Sequence, residues 1–326
     1  MESYINAGKH LILTAENGNI GTKNSDTSNP IPMLILNNPN LTIDVTAQNA
    51  WLKGRAPSTG DMGTMTLQKI NVANEFQAES EGALTVKEVT GTDGETVEAF
   101  TATDLYLTAN RNLTVHGAIT ATDTADLLSH SGIITVNGTV LGGQVYITTG
   151  VTEREEGSQV GNIVTNNDVT ANGEDGSISI TANVGDIQTA DAVALDAISG
   201  SVSIGTGTGS ISVEAVEAGR NISLTTTTGH ITSSGELEAG GSASLNTGKG
   251  NVTVTGAVDA QDNVTIETGN GGVTVTNNVT SHAGDISITS KIDDITSSGI
   301  LTAGKKVSLN ALTAGDIKIN NDITEI

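Results

Sequence analysis

Seven side chains in the first half of the chain have the chemistry that a polysaccharide-cleaving site uses: Tyr106, Arg111, His116, Asp123, Asp126, His130 and Tyr146. Clustered carboxylates handle proton transfer at a glycosidic bond, a basic residue steadies charge, and tyrosine rings give a sugar a flat platform. Such a site needs its carboxylates side by side on one surface. His116 and His130 follow different apolar segments, so nothing in the sequence makes them meet. The most charged runs are Glu153-Arg154-Glu155-Glu156 and the stretch from Asp93 to Glu98. Loops projecting from a rigid scaffold carry recognition more often than the scaffold itself. Glu153, Arg154, Glu155 and Glu156 are therefore the candidate binding loop, and no catalytic, cofactor-binding or metal-ligating set is assigned.

Other motifs dissolve on inspection. Residues 299–306, GILTAGKK, approach a phosphate-binding loop, but Lys306 stands where a magnesium-holding Ser or Thr belongs, and a strand-like segment follows instead of a helix. GTGTGS (205–210) has its glycines at every second position, off the dinucleotide spacing, and reads as a turn. The nine-residue calcium-binding repeat of β-rolls is absent, and acidic corners such as Asp285 or Asp293-Asp294 read as solvated surface. Absence of cysteine excludes disulfides and thiolate metal sites.

What must position these residues is a repeat. SISI, SVSI, NISL, SASL, NVTI, DISI and KVSL place an apolar or small residue at 178, 202, 222, 243, 264, 286 and 307, about twenty-one residues apart. A second series falls at 187, 211, 231, 252, 273, 295 and 317, and a third at Val193, Val216, Leu237, Val258, Val279, Leu301 and Ile323. Within each segment apolar residues alternate with Thr or Ser, the period of a half-buried strand and not of a helix. Gly, Asn and Asp lie between them, where tight corners need them. Three short strands per unit cannot bury an apolar stripe alone, but stacked units can. The expected fold is all-β, a right-handed parallel β-helix of about a dozen coils, about 21 residues and three strands per coil. Ser177, Ser201, Asn221, Ser242, Asn263 and Asp285 precede the first strand, and Asp186, Ser210, His230, Asn251, Asp294 and Asp316 the second, with Gly272 interrupting. Both sets read as coil-to-coil hydrogen-bond ladders.

The N-terminal half repeats less regularly, through HLIL (10–13), DLYL (104–107), NLTV (112–115), IITV (133–136) and QVYI (144–147), with excursions near 22–33, 53–63, 91–98 and 150–161. The reading is one continuous elongated domain, with irregular coils over 1–161 and regular repeats over 162–326. The chain has 326 residues and 39 glycines, yet only six large aromatic rings, all before residue 147. A narrow aliphatic core has little room for rings, so the irregular half is the expected place for specificity. The net charge of −23 repels phosphate backbones and anionic membranes, which excludes nucleic acid as a partner. No apolar run is long enough to insert in a membrane as a helix. The repeat unit is unfinished at Ile326, which suggests an excerpt of a longer rod and an open end able to self-associate end to end.

LTAENGNIGT (13–22) and residues 218–268, with their AGG- and GN-started turns and V-x-L strands, resemble the repeat region of filamentous-haemagglutinin-type large exoproteins, the secreted partners of two-partner secretion systems. Asn38-Pro39-Asn40-Leu41 is similar to a motif of that family's secretion domain, although it stands alone and Asn-Pro is also a common turn opener. The resemblance implies a secreted or bacterial cell-surface location and roles in cell adhesion, biofilm formation, haemolysis or toxin display. Host or bacterial cell surfaces or glycans would be its partners. The expected function is a rigid adhesin shaft; a β-helical carbohydrate-active enzyme and a self-assembling extracellular fibre subunit are the alternatives.

Overall fold

The computed structural model describes residues 5–23, 30–38, 40–56, 63–90, 96–97, 100–153 and 161–325. These form a right-handed parallel β-helix of about 13 coils with about 22 residues per coil. In one regular coil the three strands are Val264–Asn270, Val273–Val275 and Val279–Ser281; they belong to three faces, A, B and C. Each strand pairs in parallel with its counterparts in the coils on either side. Val264 lies opposite Ala243 and Ile286, Val273 opposite Val252 and Ile295, and Val279 opposite Val258 and Leu301. At about 4.8 Å per coil the stack is roughly 60 Å long.

Alternation decides which side chains enter the core. Val264, Ile266 and Thr268 are buried, while Thr265 and Glu267 face outward. The inward column through Val264 reads Ile178, Val202, Ile222, Ala243, Val264, Ile286, all at most 1% exposed. Chains branched at Cβ suit such a column, because a single χ1 rotamer packs without further loss of freedom.

The first two apolar series take the expected register. The third needs one correction: the residue stacked between Val169 and Val216 is Leu195, not Val193. Val193 is buried at the corner instead, where Ala192 takes the left-handed backbone (φ 64°) and absorbs extra residues of that longer coil. GTGTGS is corrected too: Gly205 to Thr208 continue the face A strand Val202–Thr208, and only Gly209-Ser210 make the corner.

Both polar ladders are present. Before face A, Ser177 Oγ accepts from the Ser201 N–H (3.1 Å), Ser201 Oγ from Asn221, Asn221 Oδ1 from Ser242 (2.8 Å), Ser242 Oγ from Asn263, and Asn263 Oδ1 from Asp285 (2.8 Å). Before face B, Asp186 Oδ1, Ser210 Oγ, His230 Nδ1 and Asn251 Oδ1 each accept the N–H of the next coil's equivalent residue, ending at Gly272. His230 can accept there only through an unprotonated Nδ1. A third ladder is internal. The buried hydroxyls of Thr206, Thr226, Thr247, Thr268 and Ser290 donate to the carbonyls of Gly185, Gly209, Gly229, Gly250 and Gly271 at 2.7–2.9 Å. Hydroxyl side chains are thus not confined to the outer surface; at this bend they pair a carbonyl that apolar side chains would leave without a partner.

In the irregular half, single strands bend round a corner and serve two faces. Phe100–Ala109 pairs through Phe100 and Thr101 with Ile119 and Thr120 on face C, and through Asp104 to Ala109 with Thr124 to Ser129 on face A, with a register shift between. Phe76 and Phe100 meet edge to face within the core, ring centroids 6.5 Å apart. Of the excursions, residues 24–29, 57–62, 91–95, 98–99 and 154–160 lie outside the described residues. The second starts later than expected, since Lys53 to Arg55 still belong to the strand Thr42–Arg55. There Lys53 Nζ pairs with Glu79 Oε1 at 2.6 Å, and Arg55 pairs with Glu81. Asn38 Oδ1 accepts from the Asn40 N–H at 2.9 Å, and Leu41 is buried.

Candidate functional site

The candidate side chains divide between one face and three corners. Of the binding loop, Glu153 is exposed, and Arg154, Glu155 and Glu156 lie outside the described residues. Of the Asp93 to Glu98 stretch, Thr96–Val97 pairs antiparallel with Val89–Thr90, and Asp93 and Glu98 lie outside the description. Arg111 and His130 sit on neighbouring coils at the corner between faces A and B, and Asp123 sits between C and A. His116 is at the corner between B and C, 3.2 Å from Asn137 Nδ2, and Asn137 Oδ1 in turn accepts from Asn166 Nδ2 at 2.7 Å. A groove of about 420 Å³ opens at that corner, lined by Glu88, His116, Asn137 and Asn167 among others. Glu88, Asn137 and Asn167 were not anticipated, because they stand 21 to 51 residues from His116 in sequence and meet it only through stacking.

Tyr106, Asp126 and Tyr146 do come together. Strand register puts Tyr106 opposite Asp126 and Asp126 opposite Tyr146, on three successive coils. All three alternate with core residues, Leu105 and Leu107 around Tyr106, Ala125 and Leu127 around Asp126, so each projects from face A. The same column begins with Trp51 and Gln77. Trp51 is buried, 2% exposed, and its indole N–H donates to Glu75 Oε1 at 2.8 Å. Tyr146 is 37% exposed, and its hydroxyl donates to Gln144 Oε1.

The electrostatics of this column are wholly acidic. Burial pushes the Tyr106 phenol above its ordinary value, and the carboxylates of Asp104, Glu75, Asp126 and Asp123 push it further. Burial likewise raises the Asp126 carboxyl. An acid whose pKa is higher folded than unfolded holds its proton more tightly in the fold. Its stabilising contribution is complete below the ordinary aspartate value of about 3.9 and fades as pH rises through the folded value. Asp126→Asn is therefore expected to be more stable than the parent chain at neutral pH and to lose that advantage below about pH 4. Thermal melts across that range check it; a constant difference between the two proteins would contradict the assignment.

Regular coils also carry a carboxylate row that the sequence reading did not expect. Asp196, Glu217, Glu238 and Asp259 stand in register on the outside of face C. Repulsion from Asp196 comes first among the causes that raise the Glu217 carboxyl, followed by desolvation, Glu238 and Glu236. The row was hidden because its members are a coil apart in sequence, and because placing Val193 in the third strand moved Asp196 two positions out of register with Glu217. Asp259 Oδ1 lies 2.8 Å from His282 Nε2. Among the acidic corners, Asp294 accepts the Asp316 N–H through Oδ1 and pairs through Oδ2 with Lys318, which together hold its carboxyl low. No group of three metal-ligating side chains occurs among the described residues. Among them, too, no helix is long and apolar enough to cross a membrane.

Comparisons with protein-family models, curated proteins and solved structures return no match to this chain.

Proposed function

We propose that this chain is a rigid shaft of a secreted or cell-surface bacterial adhesin, a spacer that carries a recognition element away from the cell. The observation that carries the reading is the unbroken register of the regular coils, with equivalent residues on all three faces paired from Ile178 to Glu325. A structure in which every unit grips its neighbours through three strands and polar ladders resists bending, and its length scales with its number of units. The rhythm shared with filamentous-haemagglutinin-type repeats supports the extracellular assignment.

Two measurements test it. Removing residues 222–263 takes out two whole coils and brings Ile178's column back into register at Val264; small-angle scattering should show a rod shorter by about 10 Å with unchanged cross-section. Antibodies raised against residues 162–326 should label intact cells or the culture medium. Labelling confined to permeabilised cells would overturn the surface reading.

A further inference from the structure

We infer that Tyr106, Asp126 and Tyr146 form a binding surface for a saccharide chain free of anionic groups, lying along the rod axis on face A. Composition breaks at one structural position. Beyond Tyr146 the same outward column reads Ser179, Ser203, Ser223, Ser244, Thr265, Ser287 and Ser308. Seven coils show that the fold is satisfied there by a small hydroxyl side chain. Two tyrosines and an aspartate at that position do not serve the stack itself, and large outward rings on a strand face are what ligands with apolar faces bind.

Geometry and charge select the ligand class. Successive coils are about 4.8 Å apart, close to the rise of one sugar in an extended polysaccharide. The two tyrosines are therefore placed to meet alternate sugar units, with the Asp126 carboxylate between them facing the hydroxyls of the unit they flank. Among the described residues no cation or hydrogen-bond donor engages that carboxylate, so its acceptor capacity is open to a ligand. The charged groups acting on Tyr106 are the carboxylates of Glu75, Asp104, Asp123 and Asp126. Such surroundings repel uronic-acid and sulfated chains and accept neutral or amino sugars. The inference does not depend on the shaft reading: a rod can bind glycans on one face or serve only as a spacer.

The test uses the full chain and three probes: cellohexaose, a fully deacetylated chitosan hexamer and hexagalacturonate. Isothermal titration should show binding of the neutral or the cationic hexamer and none of hexagalacturonate. The variant Tyr106→Ser/Asp126→Ser/Tyr146→Ser carries at each position the residue type of its sister coils. It should bind at least tenfold more weakly while keeping its circular dichroism spectrum. Tyr146→Phe, which retains the ring, should stay within about threefold of the parent and guards against a misfolded triple variant. Failure of both uncharged and cationic probes to bind overturns the inference. So does equal binding by the triple-serine variant, or preference for hexagalacturonate. None of these outcomes bears on cell-surface labelling, so the two readings fail separately.

Discussion

Val264→Asp is expected to collapse the middle of the rod, whereas Thr265→Asp leaves it intact. The two residues are neighbours, but Val264 is fully buried between Ala243 and Ile286, and Thr265 faces outward between Ser244 and Ser287. Replacing Val264 removes roughly 1.5–3 kcal/mol of side-chain burial. It also puts a carboxylate into an aliphatic column with no partner, so the total loss should be at least about 4 kcal/mol. The outward change should stay within about 0.5 kcal/mol. Because each coil is held mainly by its neighbours, the damage should spread as lost amide protection in the coils on both sides. Denaturant unfolding and hydrogen exchange read both quantities. Equal losses for the two variants would refute the inward assignment on which all three faces rest.

Why this much was legible follows from the period of the repeat. A strand alternates with period two, so one correctly placed valine fixes the side of its neighbours, and an interval near twenty-one residues fixes which residues stack. The serine and asparagine ladders were readable for the same reason, down to the interruption at Gly272. What escaped lies where the interval varies or where inward and polar coincide. Between Ile187 and Leu195 the corner is longer than its successors, and counting the usual five or six residues on from Ile187 lands on Val193. Thr206, Thr226, Thr247 and Thr268 alternate with apolar residues in the inward phase, yet their hydroxyls disguised them as surface. The carboxylate row of face C and the column of Tyr106, Asp126 and Tyr146 exist only across coils, so no local window contains them.

The aromatic residues illustrate both sides. Their confinement to the first half suggested specificity there, but Phe76, Phe100 and Trp51 are buried and serve packing or an internal hydrogen bond. The irregular coils enclose a core with room for two phenylalanine rings. Only Tyr106 and Tyr146, among the described residues, remain for recognition. The candidate loop at Glu153 to Glu156 rested on charge and on its place in a projecting excursion, and its single described member is an exposed glutamate.

The second large effect is expected from glycines that look interchangeable in sequence. Gly250 has φ 139°, a backbone conformation almost closed to residues with a Cβ, and a Cβ built there would stand 2.1 Å from the Gly229 carbonyl oxygen. That oxygen is the acceptor of the Thr247 hydroxyl, so a methyl group would push apart two coils and break the internal ladder together. Strain of about 1–3 kcal/mol and the displaced ladder put the expected cost of Gly250→Ala at roughly 3–4 kcal/mol. Gly272, the gap in the ladder before face B, should respond the opposite way. A Cβ there would stand 3.1 Å from the Asp294 carbonyl oxygen, a tight contact that a shift of a few tenths of an ångström relieves, and its backbone needs no left-handed conformation. An asparagine at 272 could accept the Asp294 N–H as Asn251 accepts that of Gly272. It would also restrict the unfolded chain, for an expected gain of about 0.5–1 kcal/mol. Opposite signs for Gly250→Ala and Gly272→Asn in denaturant melts would establish that the corners differ in kind: one glycine is demanded by contact between coils, and the other leaves out a hydrogen bond that its neighbours make. A loss of similar size in both would mean instead that the side-chain ladder adds nothing, and that stability resides in the strand register and the aliphatic columns.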